Sequence, residues 1–187
     1  MTAYGELYDK NFLNQFNEHC RNAIKSLQLK ENFVINVEKI IELCGIQIEY
    51  DLIDESGEFD SDSNKILVNL LEPVTRQRFT LAHELGHFVL NHQGVNHRSD
   101  DSSVYPDEQL RKNEIAANQF AAELIMPKNL VRKCLIQTMK DLNYDLKQTF
   151  DESDLENIYE DMAQKMNVSK QALKYRLNNL KVFKYVG

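Results

Sequence analysis

Thr80-Leu81-Ala82-His83-Glu84-Leu85-Gly86-His87-Phe88-Val89-Leu90 is the stretch from which the rest of the chain is read. At 3.6 residues per turn, positions four apart share one helix face, so His83 and His87 can present two imidazoles to one ion. Glu84 is rotated by about 100° from His83, too far round to join them easily as a ligand. It can still reach a water on that ion, whose acidity zinc would raise, and take its proton. Leu81, Leu85, Phe88, Val89 and Leu90 make the helix largely apolar, giving a dry wall around a charged site. Buried imidazoles need a partner, and a metal supplies one. The plain alternative is two histidines at helical spacing with no ion between them.

A catalytic zinc takes three protein ligands and keeps one position open. The extended metzincin pattern needs glycine at 90 and histidine at 93, where this chain has Leu90 and Gln93. His92 falls five residues after His87, well round the helix. His97 lies in a polar loop and is a weaker candidate. Glu114 opens an alanine-rich helical stretch, Glu114-Ile115-Ala116-Ala117-Asn118-Gln119-Phe120-Ala121-Ala122, whose small side chains suit tight packing on the first helix. Asn118 is one turn further along that face, placed to orient a ligating histidine. Periodicity alone weighs Glu114 equally as an ordinary exposed helix glutamate. Glu123 is the competing carboxylate but points off the Glu114 face.

Around these segments the pattern is helices, a small sheet, then helices, an α+β arrangement. One helix is expected over 11–29, from the stripe Phe12, Leu13, Phe16, Ala23, Ile24 and Leu27. A second is expected from Val37 to Cys44, with Asn36 as cap and Gly45 as stop. Ile46 to Tyr50 alternates like a strand, Asp54 to Asn64 suits a turn or hairpin, and Lys65 to Asn69 reads as another strand. Pro73 sits near the start of a helix reaching Asn91. A polar loop follows to Pro106, then helices over Glu108–Met126 and Leu130–Leu142, and two short ones near 155–166 and 169–180.

The 187 residues suffice for one compact domain or one with a small appendage. We divide the sequence at 1–150 and 151–187. A net charge of -7 argues against a protein that coats nucleic acid over its whole surface. Cys20, Cys44 and Cys134 are odd in number and form no CxxC pair, so reduced thiols are expected. The N-terminus does not read as a signal peptide and no apolar run is long enough to span a bilayer. A cytoplasmic location, with no membrane partner, is expected.

Arg78-Phe79-Thr80-Leu81-Ala82-His83-Glu84-Leu85-Gly86-His87, followed by Glu114-x-x-Ala117-Asn118-x-Phe120-Ala121-Ala122-x-Leu124-Ile125-Met126-Pro127, resembles the ImmA/IrrE family of metallopeptidases. The order and separation of the two blocks match, and the resemblance covers residues 35–180. It implies a minimal zincin-like fold with a small sheet on the HExxH helix. It implies zinc held by His83, His87 and Glu114, with Glu84 as base. It further implies site-specific cleavage of a helix-turn-helix repressor that controls a mobile element or stress genes. Some relatives are toxins held by an Xre-type antitoxin, which is the alternative reading.

Residues 161–177 resemble a helix-turn-helix, with Asn167 in the turn and Ser169 capping the second helix. One reading is DNA contact through Lys170, Gln171, Lys174 and Arg176. The favoured reading is a helical hairpin that completes the core, because six acids in 151–161 adjoin six Lys/Arg in 162–187. Catalysis is expected on a peptide laid along Lys65 to Asn69 as an exposed edge strand. Tyr105 and His97 are candidates to stabilise the oxyanion.

Overall fold

The computed structural model describes residues 2–30, 32–92, 108–145 and 148–183. The chain opens with a short strand β1 (Thr2–Ala3) and two one-turn helices, α1 (Tyr4–Leu7) and α2 (Lys10–Leu13). A longer helix α3 (Glu18–Ser26) leads to β2 (Gln28–Leu29), antiparallel to β1. The single helix expected over 11–29 is thus broken. The Asn17 side chain accepts the Cys20 N–H at 2.9 Å and starts α3 afresh, as a capping Asn does. The apolar stripe survives the break, since Phe12 and Phe16 both meet Phe120, at 5.1 and 5.6 Å between ring centroids.

Helix α4 (Val37–Leu43) begins where Asn36 Oδ1 accepts the Lys39 N–H, and ends before Gly45, whose φ of +78° suits glycine. Three strands follow: β3 (Gln47–Asp51), β4 (Gly57–Asp60) and β5 (Lys65–Asn69). Their order is β3-β5-β4, with β3 parallel and β4 antiparallel to β5. This corrects the expectation that Lys65 to Asn69 is an exposed edge. Both sides of β5 are occupied, Ile66 and Val68 are fully buried, and no further strand can add there. Among the described residues the free edges belong to β3 and β4.

β4 lies along α5 (Val74–Val89), the helix of the HExxH segment. Gly57 permits this approach, because a Cβ there would overlap the Thr80 methyl and come 2.8 Å from the Leu67 carbonyl oxygen. Phe59 of β4 meets Phe88 of α5 edge-on at 5.4 Å. Pro73 precedes α5, with its fixed φ and absent N–H at the position where neither costs a helical bond.

α6 (Glu108–Ile125) runs beside α5, and α7 (Lys128–Asp141) starts after Pro127. At Gly86 a Cβ would sit 3.0 Å from Phe120 Cδ1 and 3.3 Å from Ala117 Cα. Small residues at that crossing let the two helices come close enough to share a site. α8 (Glu152–Met166) begins with a capping box of Asp151 and Asp154, α9 (Lys170–Asn179) is capped by Ser169, and Asn167 between them is left-handed at φ 52°. Met162, Leu173 and Leu177 join the same buried cluster as Ile41, Val68, Leu85 and Leu124. The fold is α+β, and no helix among the described residues is long and apolar enough to cross a membrane.

Candidate metal centre

α5 buries the whole segment from Thr80 to His87, including His83, Glu84 and His87. α6 buries Glu114 while leaving Ile115 exposed, so its inward face is set by Glu114, Ala117 and Ala121 at helical spacing. Where the two helices meet, three donor groups converge. His83 Nε2 and His87 Nε2 are 3.0 Å apart. The Glu114 carboxylate reaches both, with Oε2 3.3 Å from His83 Nε2 and Oε1 3.2 Å from His87 Nε2. His83, His87 and Glu114 form the one group of three or more buried His, Cys, Asp or Glu side chains with metal-ligand spacing among the described residues.

The residues fit an ion. Ligands at 2.0–2.2 Å from a tetrahedral ion lie roughly 3.3 Å from one another, by simple geometry. The observed separations are close to that value. Without an ion, three acceptor-capable groups would face each other in a dry site, an arrangement that costs free energy unless protons are shared among them. The Glu114 carboxyl registers this environment. Burial pushes it up, but hydrogen bonds from His83 and His87 outweigh burial and hold it down to about 2.

Behind each imidazole sits a second group. His83 Nδ1 is 3.1 Å from Asn118 Oδ1, one turn along α6 from Glu114. His87 Nδ1 is 3.1 Å from His92 Nδ1. Burial, and then the neighbouring His87, hold His92 below the usual imidazole range. Periodicity runs the helix to Asn91 and gives His92 no place as a ligand, and His92 stays outside the group of His83, His87 and Glu114. The chain instead leaves the helix at Leu90 and turns back at Asn91, whose φ of 54° is left-handed. An asparagine just past an apolar helical run was the available signal.

Glu123, the competing carboxylate, lies 3.7 Å from Arg176 and belongs to a different contact. His97 and Tyr105 fall outside the described residues. Among the residues proposed for DNA contact, Arg176 is buried, donating from Nε to the Met126 carbonyl oxygen at 2.9 Å. Lys174 is ion-paired with Glu156, and Lys170 lies 3.2 Å from both Glu156 and Glu160. The acids of α8 therefore neutralise the basic face of α9, and Arg176 has no access to a groove. The three thiols are free, Cys20 and Cys134 buried and Cys44 partly so.

Two imidazoles one helical turn apart, a carboxylate from the adjacent helix and a glutamate next to the first imidazole make up the donor set of a metal-dependent peptidase. Residues 45–178 match the model of the peptidase family described as the IrrE N-terminal-like domain, and the chain belongs to that family. It is 39% identical over 80 residues to the radiation response metalloprotease IrrE of Deinococcus radiodurans, covering 42% of this chain and 24% of that protein. It is 32% identical over 104 residues to the metallopeptidase ImmA of Bacillus subtilis, covering 51% of this chain and 59% of the relative. These matches span about a quarter and three fifths of the two relatives. A solved structure of a Mycobacterium tuberculosis transcriptional regulator shares the fold, with a TM-score of 0.53 at 16% identity, covering 94% of this chain and 49% of that one.

Proposed function

We propose that this chain is a zinc metalloendopeptidase of zincin-like type, with His83, His87 and Glu114 as the metal ligands and Glu84 as the general base. The observation that carries the reading is the convergence of the two Nε2 atoms and the Glu114 carboxylate within 3.0–3.3 Å. Imidazole with carboxylate suits zinc. A divalent ion there supplies a Lewis acid that polarises a carbonyl and acidifies a water. Glu84, buried on α5 between His83 and Leu85, takes the proton from the attacking water and returns it to the leaving amine. Asn118 fixes the ring of His83, and the apolar wall of α5 keeps bulk water out.

The substrate is a peptide in extended form, added as a strand to the free edge of β4. β4 is the edge strand that runs along α5, so a segment paired there lies beside the helix of the site. The cleaved protein in this reading is a helix-turn-helix repressor in the cytoplasm. That choice is supported by kinship with ImmA and IrrE rather than by any contact in the fold. A toxin held by an Xre-type partner has no feature of its own among the described residues, and DNA binding is disfavoured by the ion-paired α9 lysines and buried Arg176.

The test is to incubate the chain with the helix-turn-helix repressor encoded nearest to it and look for one discrete, chelator-sensitive cut. Glu84→Gln should retain metal and lose cleavage by about 10²–10⁴-fold or more. Retained cleavage in that variant would remove Glu84 from the mechanism.

A further inference from the structure

The end of α5 is built as a Schellman turn around the second histidine. The Asn91 N–H donates to the Phe88 carbonyl oxygen at 3.1 Å, and the His92 N–H to the His87 carbonyl oxygen at 3.0 Å. This pair of bonds closes only because Asn91 is left-handed, at φ 54°. The turn carries His92 back over His87. The rings meet edge to face, 5.0 Å between centroids at 75°, and their Nδ1 atoms are 3.1 Å apart.

That contact uses the nitrogen of His87 that is turned away from Glu114. Nε2 faces the carboxylate at 3.2 Å. A neutral imidazole offers a lone pair at Nε2 only when its proton is on Nδ1, and an Nδ1–H buried on α5 needs an acceptor. His92 Nδ1 is such an acceptor when the His92 proton is on Nε2. For His83 the same service comes from a different element, Asn118 of α6.

We propose that His92 is a positioning residue of the metal centre, accepting the Nδ1 proton of His87 and thereby fixing the tautomer and ring angle that aim Nε2 at the ion. The left-handed Asn91 is the device that delivers it. The proposal rests on the metal-centre reading above and deepens it with a residue that lies beyond the HExxH helix.

The test is zinc affinity, measured by competition with a chromogenic chelator on the purified full chain. His92→Phe keeps an aromatic ring and removes the acceptor, and zinc affinity should fall by ~10–100-fold. His92→Asn places an amide oxygen where Nδ1 stood and should restore affinity to near that of the wild type. Asn91→Val, which resists the left-handed turn, should behave like His92→Phe, and Asn91→Gly like the wild type. In ¹⁵N spectra of the zinc-loaded protein the His87 Nδ1 proton should be protected in wild type and His92→Asn, and exchange-broadened in His92→Phe. Melting of the metal-free proteins separates lost folding from lost positioning. If His92→Phe does not fold, the Asn91 pair and His92→Asn decide alone. Wild-type affinity in His92→Phe, or equal weakness in His92→Asn and His92→Phe, would overturn the proposal while leaving the centre intact. A wild-type chain that binds no zinc would overturn both.

Discussion

Asn118 Oδ1 lies 3.1 Å from His83 Nδ1, and so ties α6 to α5 through the ring nitrogen that the candidate metal centre does not use. Asn118 shares a face with Glu114, one turn earlier. A single helix therefore supplies both a ligand and the brace for another ligand. Asn118→Ala should lower zinc affinity by ~10–100-fold, and Asn118→Asp, which keeps an acceptor, should lose much less. Chelator competition on both variants checks this.

Gly86 decides how closely those helices approach. A methyl there meets Phe120 Cδ1 at 3.0 Å and Ala117 Cα at 3.3 Å. Alanine regains about 1 kcal/mol of helix propensity over glycine. Overpacking costs about 1–3 kcal/mol and rises with side-chain size. Gly86→Val should therefore be clearly destabilising in urea unfolding and should also weaken metal binding, by pushing Glu114 away from the histidines. Unchanged stability would show that α6 gives way easily.

Arg176 and Lys174 share α9 but should respond in opposite ways. Arg176 is buried and donates to the Met126 carbonyl oxygen. Arg176→Ala strands that acceptor and should cost about 1–3 kcal/mol. Lys174→Ala removes an exposed ion pair with Glu156 and should change stability by less than about 1 kcal/mol. Neither variant should alter duplex DNA retention, since the wild type should show none at physiological salt.

Glu114 gives the metal-free protein a pH signature. Its carboxyl is held down to about 2 in the fold, from an ordinary value of 4.5. A depressed pKa contributes stability that is fully present above the unfolded value and is lost as pH falls toward the folded one. The stability difference between chelator-treated wild type and Glu114→Gln should therefore shrink as pH is lowered from about 4.5 to 2. Thermal melts of the pair at matched pH read it directly. A constant difference across that window would show that the carboxylate is not held by the two imidazoles.

Local chemistry made some of this fold legible. The apolar flanks of His83 and His87 imply a buried helix, and α5 buries that segment. Asn36 and Ser169 are capping residues by type, and each accepts the expected backbone N–H. What escaped depends on tertiary partners. The run Asp54 to Asn64 read as a turn or hairpin and does form one with β5, but the bounds of β4 were not legible, because its strand character comes from that pairing and from Gly57 fitting against Thr80. The central place of β5 could not be read from its alternation, which is the same at an edge. The break before α3 lay under an apolar stripe that continues across it. The contact of His92 with His87 was not legible, because it depends on one left-handed residue, Asn91, that turns the chain back at the helix end.

Whether His83, His87 and Glu114 hold an ion is decided by metal content. Elemental analysis of the purified chain should find about one zinc per molecule, as a three-ligand site implies, and His83→Ala should lose it. A folded wild type without stoichiometric metal, or a His83→Ala variant that keeps it, would contradict the account.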